Sequence, residues 1–396
     1  MMRGFSRARL CLALAALSLV AGCSSFSDSN FNPLNWFSSS TNKPAELTAI
    51  KPTLTFTRLW SASVGDAGAY VFTPAVVGDT VYAADADGYI SAFEVKTGKR
   101  RWRERADRSG LSAGVGASAD IAVVATVAGE VVALDNKGRE KWRARLPSVV
   151  LAPPLVTDSA VLVRSDDNHI YAFNPVDGKR MWVYQRTAPA LVLRNIGGMV
   201  AGSDGIAYVG YPGGKLVALG LANGSLRWEA TVALSKGTTE LERIADISSS
   251  PVLAGREVCA VAYQGRAACF QTSNGQPLWG RDISSAAGMA VDERFMFISD
   301  EKSAVVALAR NSGSSLWKQD KLLYRQISGP VSVGRAVVVG DYQGYLHALS
   351  REDGSFIGRQ ATGGGAIMTA PQLFNVPDKD AILVQTRKGD LIVYTL

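Results

Sequence analysis

Short apolar runs bounded by turn-forming residues recur along the chain from Thr80 to Tyr394. The first unit reads Thr80-Val81-Tyr82-Ala83-Ala84, a turn at Asp87-Gly88, then Tyr89-Ile90-Ser91-Ala92-Phe93, a turn at Thr97-Gly98-Lys99, and Arg101-Trp102. Such runs, separated by glycine turns, are strands, and Asp-Gly and Thr-Gly supply the positive φ that tight hairpins need. The unit recurs eight times. Its first turn residue is Gly88, Gly129, Asn168, Gly214, Gly265, Ser303, Gly344 and Gly389. Four and five residues later comes a small-then-large apolar pair, from Ala92-Phe93 through Cys269-Phe270 to Val393-Tyr394. A second turn glycine follows at Gly98, Gly138, Gly178, Gly224, Gly275, Gly313 and Gly354. Four residues after it stands Trp102, Trp142, Trp182, Trp228, Trp279 or Trp317, and only the seventh unit differs, with Gly358.

The first marks are spaced 41, 39, 46, 51, 38, 41 and 45 residues apart. Self-similarity at about 40–45 residues is the period of a four-stranded propeller blade. The pattern therefore predicts an all-β chain, an eight-bladed β-propeller of four-stranded antiparallel blades. Pro74, Pro154, Pro251 and Pro330 each precede a first mark by 14 residues. Lacking a ladder donor, they suit a short innermost strand beside a central channel. The eighth unit ends at Leu396 after its third strand, and Thr55–Ser61, which carries Trp60, is expected to supply the missing outer strand. A ring closed by this N-terminal strand hides edges that would otherwise template aggregation. Seven tryptophans are expected in the core, docking blade on blade. Burying an indole removes roughly 150–250 Å² from water, on the order of 5 kcal/mol as an upper bound.

Ahead of the repeat, Arg3, Arg7 and Arg9 precede an apolar stretch from Leu10 to Val20 and the sequence Val20-Ala21-Gly22-Cys23. Eleven apolar residues are too few to cross a bilayer, so residues 1–22 read as a signal peptide. Ser24 to Lys51 is rich in Ser, Asn and Pro without an apolar period, which makes 23–51 a flexible tether and 52–396 a single propeller. Removing three arginines from the 42 cations leaves 39 against 35 acids, a net charge of +4 instead of +7. That mild balance, without a cation cluster interleaved with aromatics, gives no expectation of nucleic-acid binding.

Little in the chain announces chemistry. The two histidines, His169 and His347, follow turns and have no second ligand at metal spacing. No metal site, cofactor or catalytic residue is expected. Asp85, Asp87 and Asp135 occupy turn positions, where Asp caps backbone groups. Cys259 and Cys269 fall on consecutive strands of the fifth blade, either as a disulfide or as two small core residues.

Function in a propeller sits where the period is broken, because loops vary while strands hold the ring. The two long periods, 46 and 51 residues, place extra residues at Gln185–Ile196 and Leu234–Ile247. Both are connections from an outer strand to the next inner strand, so they emerge as neighbours on one face. The first carries Pro189-Ala190-Leu191-Val192-Leu193-Arg194-Asn195, the second Glu242-Arg243-Ile244-Ala245-Asp246-Ile247. Exposed apolar side chains with an arginine and an acid are ingredients of a protein-binding hot spot. In the other reading, Leu191 and Leu193 extend the inner strand and pack in the core.

Two resemblances add to this. The unit from Ala92 to Trp102 resembles the tryptophan-docking repeat of quinoprotein (PQQ-like) propellers, some of which are PQQ-dependent dehydrogenases with an adjacent-cysteine ring and a calcium site. This chain has no Cys-Cys pair. Val20-Ala21-Gly22-Cys23 resembles the bacterial lipobox, which implies lipidation at Cys23, and Ser24 in place of Asp implies sorting to the periplasmic face of the outer membrane. Lipobox, tether, eight blades, a Leu191-x-Leu193-Arg194 loop and an Arg243-Ile244-x-Asp246 loop together resemble the BamB family of the β-barrel assembly machinery, over essentially the whole chain. That resemblance implies a non-enzymatic scaffold for inserting outer-membrane β-barrel proteins. Its partners would be the POTRA domains of BamA, further subunits of the machinery and unfolded outer-membrane proteins. Leu191, Leu193, Arg194 and Asp246 would contact BamA. The family pattern can carry a second acid two residues on, where this chain has Ser248. The competing expectation is a quinoprotein-like enzyme or a periplasmic small-ligand binder using the central channel.

Overall fold

The computed structural model describes residues 42–187, 189, 191–193, 197–376 and 379–396, and residues 44–396 form one compact unit. Strands β1 to β32, numbered in chain order, form eight 4-stranded sheets with antiparallel pairing throughout. The first blade is β2 (Ala75–Val77), β3 (Thr80–Ala84), β4 (Tyr89–Glu94) and β5 (Arg100–Arg105), hydrogen-bonded in that order. Six further blades repeat it. The eighth comprises β30 (Gln372–Val376), β31 (Lys379–Gln385), β32 (Asp390–Thr395) and β1 (Thr57–Ser63), with β1 antiparallel to β32. The N-terminal strand thus closes the ring as the pattern predicts. Core clusters lie between neighbouring blades, and one unites Leu383 and Val393 of the last blade with Val81 and Phe93 of the first. Pro74, Pro154, Pro251 and Pro330 stand immediately before the innermost strands β2, β10 (Leu155–Val156), β18 (Val252–Ala254) and β26 (Val331–Val333).

The marks of the repeat prove to be parts of one device. Each second-turn glycine has positive φ, for instance +70° at Gly178 and +67° at Gly224, and lies under the indole of the preceding blade. A Cβ on Gly178 would meet Trp142 at 2.6 Å, one on Gly224 would meet Trp182 at 2.5 Å, and one on Gly275 would meet Trp228 at 2.6 Å. The same indole donates its Nε1–H to a carbonyl of that next blade: Trp60 to Val95 at 2.8 Å, Trp142 to Pro175 at 3.0 Å, Trp317 to Arg351 at 2.9 Å. The small residue of the apolar pair stands opposite the ring across the sheet, as Ala92 opposite Trp102 and Ala218 opposite Trp228, beside a bulge. Full burial of all seven rings is not observed. Trp60, Trp142 and Trp228 are buried, whereas Trp102, Trp182, Trp279 and Trp317 are half-buried, although all seven ride on outer strands. The first mark also shifts once: Gly265 does not carry the positive φ of its counterparts, and Gln264 (φ 48°) takes that role.

Gly358 replaces tryptophan for a topological reason. In the eighth blade the outer strand is β1, so β32 is not joined to it by a hairpin whose glycine could receive an indole from blade seven. Residues before β1 take that place. The amides of Thr53 and Leu54 donate to the carbonyl of Ile357 at 2.9 and 2.8 Å, and a Cβ on Gly358 would lie 2.8 Å from the carbonyl of Leu54. The segment begins at the opposite face, where the amide of Ala45 donates to Leu323 O, Arg325 donates to Ala45 O and Arg359 donates to Thr48 O. Leu47 packs on the cluster holding Leu322 and Ile327, and Phe56 meets Tyr394 edge-on at 5.9 Å. Residues 44–51, tether by composition, are therefore packed as a strap across blade seven; the earlier part of the 23–51 tether, Cys23 and the signal peptide lie outside the described residues.

In the fifth blade, β19 (Glu257–Val261) and β20 (Arg266–Gln271) pair with Cys259 directly opposite Cys269, and the two form a disulfide. Of the two alternatives left open by the sequence, the structure takes the bonded one.

Candidate functional site: two insertions on one face

The first insertion joins β13 (Arg180–Tyr184) to β14 (Met199–Ala201), and the second joins β17 (Leu226–Thr231) to β18. In a four-stranded meander the outer-to-inner connections share a face with the turns between second and third strands. The two insertions, leaving successive blades, are therefore side by side, and direct hydrogen bonds join them.

Asp246 is the joint. Its Oδ2 accepts the amide of Leu193 in the first insertion at 2.7 Å, and its Oδ1 accepts the amide of Gly213 in the fourth blade's turn at 3.0 Å. The flanking Ala245 and Ile247 are buried in the core, and Gly210 makes room for Ile247: a Cβ there would meet Ile247 Cγ2 at 2.2 Å. At the base of the insertions the amide of Gly198 donates to Ser250 Oγ at 2.9 Å. Asp246 is only 2% exposed. The expectation that it meets a partner at the surface thus differs from its observed place, since both its oxygens face backbone amides of its own chain.

Beneath the joint lies a buried cation. Arg164 donates to Gly210 O at 2.6 Å and to Asn168 Oδ1 at 2.8 Å, with its guanidinium 4.8 Å from the Tyr211 ring centroid. Burial pushes the Arg164 pKa below its ordinary value, and the nearby Tyr211 and Asp246 act in the opposite direction. The root of the first insertion carries Arg186, paired with Glu229, and this guanidinium holds the Glu229 carboxyl below the usual range.

Both insertions also carry exposed apolar side chains. Leu191 is 44% exposed and Val192 is exposed beside it, while Leu193 is half-buried. Neither leucine extends the inner strand, which starts at Met199. Arg194 lies outside the described residues. The second insertion contributes Leu234 and Leu241, each 67% exposed. Those two were missed in the sequence because polar neighbours such as Ser235, Glu240 and Glu242 hide them from any search for an apolar run. Reciprocal caps shape the turn that presents Leu241: Glu242 accepts the amides of Thr238 and Thr239 at 2.8 and 3.1 Å, and Thr239 Oγ1 accepts the amide of Glu242 at 3.2 Å.

The remaining candidates are structural in placement. Asp85 accepts the amide of Tyr89 and Asp135 accepts those of Lys137 and Arg139, as turn caps. His169 rests against Asp167. His347 is buried, with Nε2–H donating to Asp341 at 3.0 Å and Nδ1 accepting from Arg359 at 3.2 Å, which fixes its neutral tautomer. The mouth of the central channel is a cavity of about 210 Å³ lined by residues such as Thr73, Ser249, Ser250, Gly288 and Thr369.

The family model described as "Outer membrane protein assembly factor BamB" matches residues 41–110 and 86–319. A protein of that name from Bordetella pertussis is 44% identical over 383 residues, covering 96% of this chain and 95% of its own. Another from Burkholderia pseudomallei is 40% identical over 375 residues, covering 95% and 94%. The crystal structure of BamB from Moraxella catarrhalis aligns with a TM-score of 0.79 at 26% identity, covering 86% of this chain and 100% of that one. A quinohemoprotein alcohol dehydrogenase from Comamonas testosteroni aligns at 0.70 with 13% identity over 86% and 76%, a likeness of fold alone.

Proposed function

The chain belongs to the BamB family of outer membrane protein assembly factors, and from that membership we propose that it is a non-enzymatic scaffold lipoprotein that binds the periplasmic POTRA domains of BamA. It is anchored through Cys23 on the periplasmic face of the outer membrane and promotes folding and insertion of β-barrel proteins. The observation that carries this reading is the pair of neighbouring insertions with four exposed apolar side chains, Leu191, Val192, Leu234 and Leu241. Exposed apolar side chains gathered on neighbouring loops mark interaction surfaces, whereas singly scattered ones such as Val176 are ordinary. Arg194, next in sequence to Leu193, is the cation that the same insertion carries in its sequence. The scaffold acts either by holding the periplasmic arm of BamA in a productive pose or by offering a strand edge to incoming clients by β-augmentation.

Co-purification of BamA with the lipidated full chain from membranes tests the reading. Leu191→Ser and Arg194→Ala are expected to leave the propeller folded and to deplete BamA from the eluate. Undiminished recovery of BamA with both variants would remove this face as its docking site.

A further inference from the structure

Asp246 combines three properties that a contact residue on a rim does not combine. It is buried, its two oxygens are each occupied by a backbone amide, and those amides belong to different segments: Leu193 in the first insertion and Gly213 in the turn of blade four. Its own backbone carbonyl accepts the amide of Tyr263 in blade five at 2.9 Å. One residue of the second insertion therefore grips the first insertion, blade four and blade five together. Charge-assisted bonds of this kind are shorter and roughly twice as strong as neutral ones, and a carboxylate placed away from water keeps hold of donors it cannot exchange for solvent. Arg164, itself buried below Tyr211, adds a fixed positive charge to the pocket.

Resting on the docking site proposed above, the geometry points to Asp246 as a positioning residue. Its carboxylate staples the first insertion to the second, so that Leu191 and Leu241 are presented as one preset surface, and it never touches the partner. Presetting a loop raises affinity by sparing the ordering cost at the moment of binding.

Amide hydrogen exchange of the full chain, read beside its affinity for the purified periplasmic domains of BamA, separates this role from direct contact. With Asp246→Ala, exchange at Leu193 and Gly213 is expected to rise about tenfold or more while β19 amides stay protected, and affinity to fall by about tenfold. Asp246→Asn keeps the volume and one acceptor, and is expected to fall between the two. Leu191→Ser should cost less in the Asp246→Ala background than in the parent, because an unpositioned side chain has less to lose. Weakened binding with unchanged exchange at Leu193, or strict additivity of the two substitutions, would overturn the staple. Should Leu191→Ser bind normally in the parent, the docking site itself fails, and the exchange measurement still decides whether Asp246 holds the loop.

Discussion

Gly178→Ala and Gly78→Ala separate two reasons for a glycine in a propeller turn. Both positions have positive φ, +70° and +56°, where an alanine costs about 1–2 kcal/mol. At Gly78 nothing lies within 4 Å of the added methyl, so strain is the whole effect. At Gly178 the methyl would stand 2.6 Å from Cδ2 and 2.7 Å from Cε3 of Trp142, about 1 Å inside carbon–carbon contact distance. Retreat of the indole is blocked: its Nε1–H is committed to Pro175 O, Ala133 stands opposite it in the sheet, and Phe173 packs beside it at 6.0 Å. Overpacking costs about 1–3 kcal/mol and a lost hydrogen bond about 0.5–1.5 kcal/mol. Gly178→Ala should therefore lose about 3–6 kcal/mol in all, about 2–4 kcal/mol more than Gly78→Ala. Urea unfolding of residues 44–396, followed by tryptophan fluorescence and compared near the midpoints, measures the difference. Equal losses at the two sites would refute the lock, leaving glycine as a turn former and the indole as a bystander.

Other consequences are equally open to measurement. Reducing Cys259–Cys269, or replacing both by serine, should cost no more than about 2–3 kcal/mol, since the sequence separation is only 10 and loop-closure entropy is correspondingly small; a much larger loss in urea midpoint would contradict the register described. Burial of His347 pushes its pKa below 6.5, only partly offset by Asp341. The folded state then binds fewer protons than the unfolded one as pH falls below about 6.5, so stability present above that value is lost on acidification, by at most about 1.4 kcal/mol per pH unit. Asp341 is pushed up by burial, but hydrogen bonds from His347, the Tyr345 amide and Arg325 outweigh this and hold it low, adding a further loss in stronger acid. His347→Gln should flatten the dependence between pH 7 and pH 5, and an unchanged profile would exclude His347 as its source. Calorimetric titration with PQQ and calcium is expected to give no saturable heat, and tight binding would revive the quinoprotein reading.

Nearly all of the ring was legible because each mark of the repeat is a steric necessity. Glycine under an indole, alanine opposite it and a turn at positive φ leave residue identities that composition cannot blur. Even the break at Gly358 was visible, though its cause was not: that Thr53 and Leu54 fill the place of an indole depends on contacts some 300 residues apart in sequence. The strap was hidden for the same reason, since Ala45 and Thr48 are held through their backbones by Arg325 and Arg359, and backbone acceptors leave no trace in residue type. At the candidate site, spacing identified both insertions and the apolar run at Leu191. It could not tell that Asp246 faces inward, because an acid that caps amides and an acid that meets a partner are the same letter. Nor did it find Leu234 and Leu241, which stand exposed among polar residues, the second of them on a capped turn.

The central claim is that the two insertions form one docking face for BamA. Titration of the purified periplasmic domains of BamA with the full chain and with Leu191→Ser/Leu241→Ser tests it most directly. Truncating two exposed apolar side chains at an interface core costs roughly 1–2 kcal/mol each, so the account expects at least a tenfold rise in Kd with an unchanged urea midpoint. An unchanged Kd would contradict it.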